Sequence, residues 1–361
     1  MQDKLKVAIL GGTGMVGQRF ISLLENHPWF EVKIIAASAR SAGKTYEEAV
    51  GDRWKLDIDM PKGVKNIVVK DLHSIDEIAP EVDFCFSAVD MTKEEIRAFE
   101  DSYAKAETPV VSNNSAHRWT EDVPMVVPEI NIGHYDIIPS QRKRLGTSRG
   151  FVAVKPNCSI QTYTPELHAL KDFGIKRVVV STYQAISGAG KTFREWPEME
   201  GNVIPYIGGE EEKSEKEPLR LWGEIKDGQI VPADSPIITA QCIRVPVLNG
   251  HTASVFVDFD KKPAKEEMIE RWNSFKGFPQ EKNLPSAPGQ FIKYFEEDDR
   301  PQVRLDVDYE DGMGVTCGRL REDTIFDYKF VGLAHNTKRG AAGGAVLSAE
   351  ALVELGYIEK K

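Results

Sequence analysis

The chain has 361 residues, with 46 Lys and Arg against 56 Asp and Glu and a formal net charge of -10. That balance, with no segment dominated by Lys or Arg, argues against a nucleic-acid partner, because binding a phosphate backbone requires a basic patch. It favours a small-molecule role. The four cysteines, Cys85, Cys158, Cys242 and Cys317, are scattered without CxxC spacing, so neither a zinc site nor a disulfide framework is expected and no metal is assigned. MQDKLKVAILGG enters a strand at once, and no apolar run approaches the ~18 residues that span a bilayer. The expectation is a cytoplasmic protein without a membrane partner, long enough for two domains or one large α/β unit.

Up to about Thr147, short β-branched runs alternate with longer amphipathic ones: KVAIL, VGQRFISLLENHP, EVKIIAAS, NIVVK, VDFCFSA, EEIRAFEDSYA, PVVSN. Strands separated by helices predict βαβ units and a parallel sheet. Between KVAIL and the first helix, GGTGMVG places Gly11, Gly14 and Gly17 in GxxGxxG form, with Thr13, Met15 and Val16 filling the turn. Glycines there allow a tight turn and a close approach of backbone amides to a pyrophosphate at the positive end of the helix. At the end of EVKIIAAS, a fold specific for NAD would offer an acidic residue to the ribose. This chain offers Ser38, Arg40, Ser41 and Lys44, a set suited to a 2′-phosphate and so to NADP. Ser87, ending VDFCFSA, belongs to the same sheet edge, either touching the cofactor or capping a helix.

Ser140 to Gly150 (SQRKRLGTSRG) reads as a solvated connector. From Gly150 onward the strands are longer and closer (FVAVKP, RVVVSTYQAI, QCIRVPVL, HTASVFVDF), predicting an α+β unit with a largely antiparallel or mixed sheet. The division expected is a Rossmann-type domain over 1–150 and a catalytic domain over 151–332. From Ala334, AHNTKRGAAGGAVLSAEALVEL reads as a long helix whose Gly and Ala let it lie close to another surface.

KPNCSIQTY, starting at Lys155, places Cys158 between a β-rich stretch and a segment that reads as helical. A helix N-terminus or a cationic neighbour can lower a thiol pKa from ~8.5 into the reactive range, whereas a cysteine in such a turn can equally be a small buried hydrophobe. Cys85, Cys242 and Cys317 take the second reading. Pro165 either kinks the helix after Cys158 or stands at its first turn with Thr164 as cap, so that the helix starts later.

PNCSIQ, STYQAISGAGK and RVPVLNGHTASV, with GGTGMVGQRF, SNNSAHR, VIPYIGGEEEK, DRPQVRLD and HNTKRGAAGG in order around them, resemble the archaeal and fungal branch of the aspartate-semialdehyde dehydrogenase family over nearly the whole chain. The resemblance implies reduction of L-aspartyl 4-phosphate to L-aspartate 4-semialdehyde with NADPH, through a cysteine thioester, in lysine, methionine and threonine synthesis. It assigns Cys158 as nucleophile, His251 as general acid/base and Gln184 as the amide that orients the substrate. Arg244 would hold the α-carboxylate and Glu210 the ammonium. Arg118 and Lys213 would hold the phosphate, with Asn114 beside them in SNNSAHR. Ser187 and Gly188 would run along the nicotinamide, and Asn336 would meet its carboxamide. It also implies that residues 333–361 complete the nucleotide domain and that the second domain's sheet builds a homodimer or homotetramer. An odd separation on one strand would place Arg244 and His251 on opposite faces, unless Pro246 and the Asn249-Gly250 turn break the register. Because Pro165 weakens the helix terminus as an activator, His251 is expected to make Cys158 a thiolate. The alternatives are an acyl-CoA reductase such as malonyl-CoA reductase, and a non-catalytic NADP-binding sensor. The sensor has no use for Cys158, His251 and Gln184 together.

Overall fold

The computed structural model describes residues 3–361. Leu5–Leu10 (β1), Phe30–Ala37 (β2), Lys70–Asp71 (β3), Phe84–Ser87 (β4), Val110–Ser112 (β5) and Val152–Val154 (β6) form one sheet in the order β3-β2-β1-β4-β5-β6. All of its pairings are parallel. The strand order reverses between β1 and β4, and such a switch point opens a crevice outside the carboxyl ends of the strands. The turn after β1 lies so close to the turn after β4 that a Cβ on Gly11 would fall 2.4 Å from the Ala88 carbonyl oxygen.

The helices of this unit follow their apolar stripes. Met15–Leu24 (α1) buries Phe20, Ile21 and Leu24. Lys93–Lys105 (α2) starts on a capping box between Thr92 and Glu95. Ile138–Leu145 (α3) occupies much of what the sequence presents as a solvated connector. Its charges mask a stripe of Ile138, Gln141 and Leu145, all buried. Gln141 ties this helix to the chain by donating to the carbonyls of Asp122 and Val152 at 3.0 and 2.8 Å. Strand β6 also runs past residue 150, so the first sheet extends beyond the expected boundary.

The second sheet is mixed. Ile175–Gln184 (β7), a hairpin of Glu224–Lys226 (β8) and Gln229–Val231 (β9) that stands apart, then Ile237–Arg244 (β10), His251–Phe259 (β11), Ile292–Phe295 (β12), Val315–Glu322 (β13) and Tyr328–Ala334 (β14) supply its strands, in the order β10-β7-β11-β14-β13-β12. β7 with β10 and β12 with β13 are parallel, and the rest are antiparallel. Thr164–Ala169 (α4), Glu210–Leu221 (α5) and Lys265–Ser274 (α6) accompany it. Its other face presents Val179, Tyr183, Thr252, Ser254 and Phe256, partly exposed.

The tail is three pieces rather than one long helix. β14 ends at Ala334, Lys338–Ala342 form a π-type turn, and Gly343–Glu354 (α7) follows. Val346, Leu347 and Leu352 join the apolar cluster of Val7, Ile9, Phe20 and Phe86, so α7 is packed into the first unit. Buried Glu350 accepts from Nε2 of His27 at 2.8 Å and from the Ser286 amide at 3.0 Å.

Arg339 in the π-type turn is fully buried, pairs with buried Glu129 and lies 4.3 Å from the Phe291 ring centroid. Burial pushes the Glu129 carboxyl up and the Arg339 guanidinium down in spite of their mutual attraction. Desolvation is therefore the larger cost, and an uncompensated partner is worse than none. Arg339→Met is expected to lower stability by about 3–5 kcal/mol in urea unfolding. Glu129→Leu with Arg339→Met should recover part of that loss, and a double variant worse than both singles would refute this account.

Candidate active site

Three strand ends meet at one edge of the second sheet. β7 finishes at Gln184 and β10 at Arg244, paired directly across the parallel ladder. β11 begins at His251, with Thr252 opposite Tyr183. The odd separation of Arg244 and His251 therefore has no bearing on which way they face, because they stand on different strands.

Cys158 follows β6, but no α-helix starts there. Ser159–Thr162 make a single 3₁₀ turn, Tyr163 leaves helical geometry at φ -154°, and α4 begins at Thr164 with Pro165 in its first turn. The later start is the correct alternative, with Tyr163 rather than Thr164 at the cap position. No helix macrodipole is aimed at the thiol.

The Cys158 Sγ lies 3.4 Å from Nε2 of His251, and the Ala185 amide donates to Nδ1 at 3.0 Å. A backbone N–H only donates, so Nδ1 carries the lone pair and Nε2 the hydrogen. Burial, then the neighbouring Arg244 and His335, hold the imidazole well below its ordinary pKa, so the ring is neutral. A neutral ring with hydrogen on Nε2 has no lone pair facing sulfur. Nε2 of His251 thus presents a hydrogen to sulfur in this arrangement, the geometry of a donor to a thiolate. Burial, then the Glu210 carboxylate, push the thiol up, while Lys155, Arg118 and Arg244 oppose them.

The charges around the thiol converge from several elements. Glu210, at the head of α5, accepts from Nζ of Lys213 at 2.6 Å, from Nδ2 of Asn157 at 3.0 Å and from Nε2 of Gln184 at 3.3 Å. Arg118 donates to Glu217 at 3.0 Å and to the Lys155 carbonyl at 3.1 Å. Arg244 donates to the Ala185 carbonyl at 2.6 Å. These cations and Glu210 line a cleft of about 260 Å³ together with Cys158. Cys85, Cys242 and Cys317 lie elsewhere, buried, with their thiols pushed up by burial.

The glycine turn lies at the other end of this cleft, which Val16 also lines. Gly14 caps α1 with no side-chain bond, and the amides of Met15 and Val16 have no acceptor among the described residues. Gln18 donates to the Thr13 carbonyl at 3.0 Å and Tyr46 to the Gly12 carbonyl at 2.9 Å, so the turn is held rigid. Free amides on a rigid turn at a helix head fit a dinucleotide pyrophosphate. Ser38 and Arg40 are exposed beyond β2, while Ser41 is buried in the turn. Arg40 makes no ion pair among the described residues.

Ser87 is fully buried and accepts from Nδ2 of Asn114 at 3.2 Å, so it caps no helix and its hydroxyl is turned inward. Asn114 also donates to Glu100 at 3.0 Å, although it still lines the cleft. Asn336 accepts from the Gly250 amide and donates to Ser187, both at 2.8 Å, leaving one amide hydrogen free. A Cβ on Gly188 would come within 3.0 Å of Arg244 and 3.1 Å of His251.

Sequence reasoning missed Glu217 and Asn157. Glu217 divides its oxygens between Arg118 and the Asn157 amide, the latter at 2.6 Å, and so joins the phosphate-side cation to the residue before the thiol. Its spacing of seven from Glu210, two turns along one helix face, was the available signal. Asn113 was missed too: its Oδ1 is buried without a partner on the cleft wall. The loop after Gly188 is tied to the nucleotide unit. Lys55 donates to the Gly190 carbonyl at 2.7 Å and pairs with Glu195 at 2.8 Å, while its own amide is held by Gln18.

Residues 6–137 match the family model for the semialdehyde dehydrogenase NAD binding domain, and residues 167–339 match that for the semialdehyde dehydrogenase dimerisation domain. The aspartate-semialdehyde dehydrogenase of Methanothermobacter thermautotrophicus is 43% identical, over 97% of this chain and 99% of the relative. That of Schizosaccharomyces pombe is 41% identical over 98% of this chain and 99% of the relative. The crystal structure of the Candida albicans aspartate semialdehyde dehydrogenase with NADP superposes with a TM-score of 0.88 at 36% identity, over 99% of this chain and 100% of that one. With identity of this level across almost the whole length, and with both domain models in order, the chain belongs to the aspartate-semialdehyde dehydrogenase family.

Proposed function

We propose that the protein reduces L-aspartyl 4-phosphate to L-aspartate 4-semialdehyde with NADPH, through a thioester on Cys158. The observation that carries this reading is one cleft in which Cys158, with its sulfur 3.4 Å from Nε2 of His251, shares its walls with Arg118, Lys213, Arg244 and Glu210. Three cations and one carboxylate match a substrate with a phosphate, a carboxylate and an ammonium. Arg244 takes the α-carboxylate in a bidentate fork. Glu210 takes the ammonium, and Arg118 and Lys213 the phosphate, with Asn114 beside them. Gln184 orients the substrate from the end of β7.

Thiolate attack breaks the acyl–phosphate bond and releases phosphate, leaving a neutral thioester. The free amides of Met15 and Val16, on the rigid turn that starts at Gly11, with Arg40, Ser38 and Ser41 at the 2′-phosphate, would hold NADPH, and it supplies the hydride. Ser187, Gly188 and Asn336 line its nicotinamide side. The resulting tetrahedral oxyanion collapses to the aldehyde and expels the thiolate. Neither half of this sequence requires a proton on the reacting oxygen, so His251 serves as a neutral Nε2–H donor to sulfur and oxyanion. Bound ammonium also offsets the charge of Glu210, the strongest neighbour holding the thiol protonated. Substrate binding therefore favours its own nucleophile.

The nucleotide domain runs from the N-terminus through β6 and is completed by the π-type turn and α7, and the rest is the catalytic and dimerisation domain. The open face of the second sheet, around Val179, Tyr183 and Phe256, is the homodimer surface, whether the assembly stops at the homodimer or pairs into a homotetramer. The reaction belongs to the cytoplasm.

With aspartate semialdehyde, phosphate and NADP, wild type is expected to form NADPH only when phosphate is present, and Cys158→Ala to form none. Absence of phosphate-dependent NADPH formation in wild type overturns the assignment, and malonyl-CoA with NADPH in parallel tests the acyl-CoA alternative. His251→Asn should lower kcat by roughly a hundred- to a thousandfold, the loss typical of one oxyanion donor. Because the folded-state pKa of His251 is depressed, its neutral form persists as pH falls through 6.5, so the wild-type kcat profile should lack an inflection there that His251→Asn removes. Such an inflection would restore a proton-shuttling role. Arg40→Glu should move preference from NADP toward NAD in the ratio of kcat/KM values, and an unchanged ratio removes Arg40 from the site.

A further inference from the structure

Lys155, the residue that opens KPNCSIQTY, has no role in the reaction described above. It ends the β6 segment, is 3% exposed, and lines the same cleft wall as Cys158. Its Nζ donates to two carbonyls, those of Pro156 and Gly340, and it makes no ion pair with a carboxylate among the described residues. Gly340 is packed on the thiol residue itself: a Cβ there would fall 2.8 Å from the Cys158 Cβ. The lysine is therefore anchored through one glycine to the nucleophile. A buried cation without a counter-ion is costly unless an anion forms beside it.

We propose that Lys155 is a positioning residue for Cys158, a buried counter-charge that holds the nucleophile as the thiolate. This rests on Cys158 being the nucleophile and is independent of which acyl group it takes. The groups facing Cys158 are Lys155, Arg118, Arg244, Glu210 and His251. Those facing Lys155 are Arg118, Cys158, Glu217 and Arg339. Arg118 is committed to Glu217, and Arg339 to Glu129. Glu217 is itself taken up by Arg118 and the Asn157 amide. Nε2 of His251 presents a hydrogen to sulfur. Lys155 and Arg244 are the cations of this group with no carboxylate of their own, and Arg244 is the one already given to the substrate. Burial pushes the Lys155 ammonium down to about 7 and pushes the thiol up, so each group resists its own charge when alone and the two opposite charges support each other. As the thiol ionises, the S–H bond breaks, the electron pair stays on sulfur, and the proton is taken up by the Lys155 amine, whose ammonium balances the thiolate.

The test is the pH dependence of Cys158 alkylation by iodoacetamide, followed on the free protein without substrate, with Cys158→Ser as the blank for the other thiols. Lys155→Met is expected to move the thiolate midpoint up by roughly one pH unit, about tenfold less thiolate at a fixed pH below it. Lys155→Arg, which keeps the charge, is expected to hold the midpoint at or below that of wild type. The NADP-induced shift in Tm monitors folding in each variant. A carbonyl clip without electrostatic function predicts lower Tm values and an unchanged midpoint in Lys155→Met, and that result overturns the proposal. If Lys155→Met does not fold, Lys155→Gln replaces it, and equal midpoints in the Gln and Arg variants overturn the proposal as well. Failure of wild type to turn over aspartate semialdehyde, with the midpoints still separated, would count against the substrate and leave the counter-charge standing.

Discussion

The hydrogen bond from the Ala185 amide to Nδ1 of His251 joins the end of β7 to the start of β11, and the chemistry at the thiol follows from where it leaves the ring hydrogen. By occupying the only lone pair of the neutral ring, it turns Nε2 into a fixed donor facing sulfur. Protonating the ring would set Nδ1–H against Ala185 N–H, two donors without an acceptor, in a place where burial already disfavours charge. The Ala185 carbonyl is used as well, accepting from Arg244, so one residue holds both His251 and Arg244.

The same economy governs α5. Glu210, Ser214 and Glu217 lie along one buried face of that helix. Glu210 is held by Lys213, Asn157 and Gln184, and Glu217 by Arg118 and the Asn157 amide. Asn157 thus bridges both carboxylates immediately before the nucleophile. Its own Oδ1 accepts from the Ser159 amide at 2.8 Å, which sets the 3₁₀ turn after Cys158. The helix thus fixes the position of the segment before the thiol, of Arg118 and of Gln184.

The sequence was legible where local pattern and tertiary outcome agree. Gly11, Gly14 and Gly17 between a strand and a helix, the βαβ alternation and the long β-branched runs of β7 and β11 each have one physical reading, and the structure adopts it. It was misleading where a local cue had two readings. The cationic run in α3 hides a buried stripe of three residues spaced by helical turns. SIQTYTPEL joins a 3₁₀ turn to an α-helix across Tyr163, with Pro165 in the first turn of the second helix. Asn157 and Lys155, and the partner of Glu217, were invisible for another reason. Each acts through a partner far along the chain, such as Glu217 through Arg118, 99 residues away, and no spacing rule reports such a pair.

Close backbone approach decides how the thiol is held. A Cβ at Gly332 on β14 would fall 1.9 Å from the Thr162 carbonyl oxygen, and one at Gly340 would fall 2.8 Å from the Cys158 Cβ. The 3₁₀ turn carrying the nucleophile is thus pressed between the last strand and the turn after it, at distances only glycine allows. That contact explains why the chain returns to the first unit through small residues. A bulkier turn at Lys338–Ala342 would lift α7 from the nucleotide core and Cys158 from His251 together. The C-terminal segment is consequently a wall of the active site as well as the closing helix of a domain, and the reactive thiol is positioned by residues from both ends of the catalytic half.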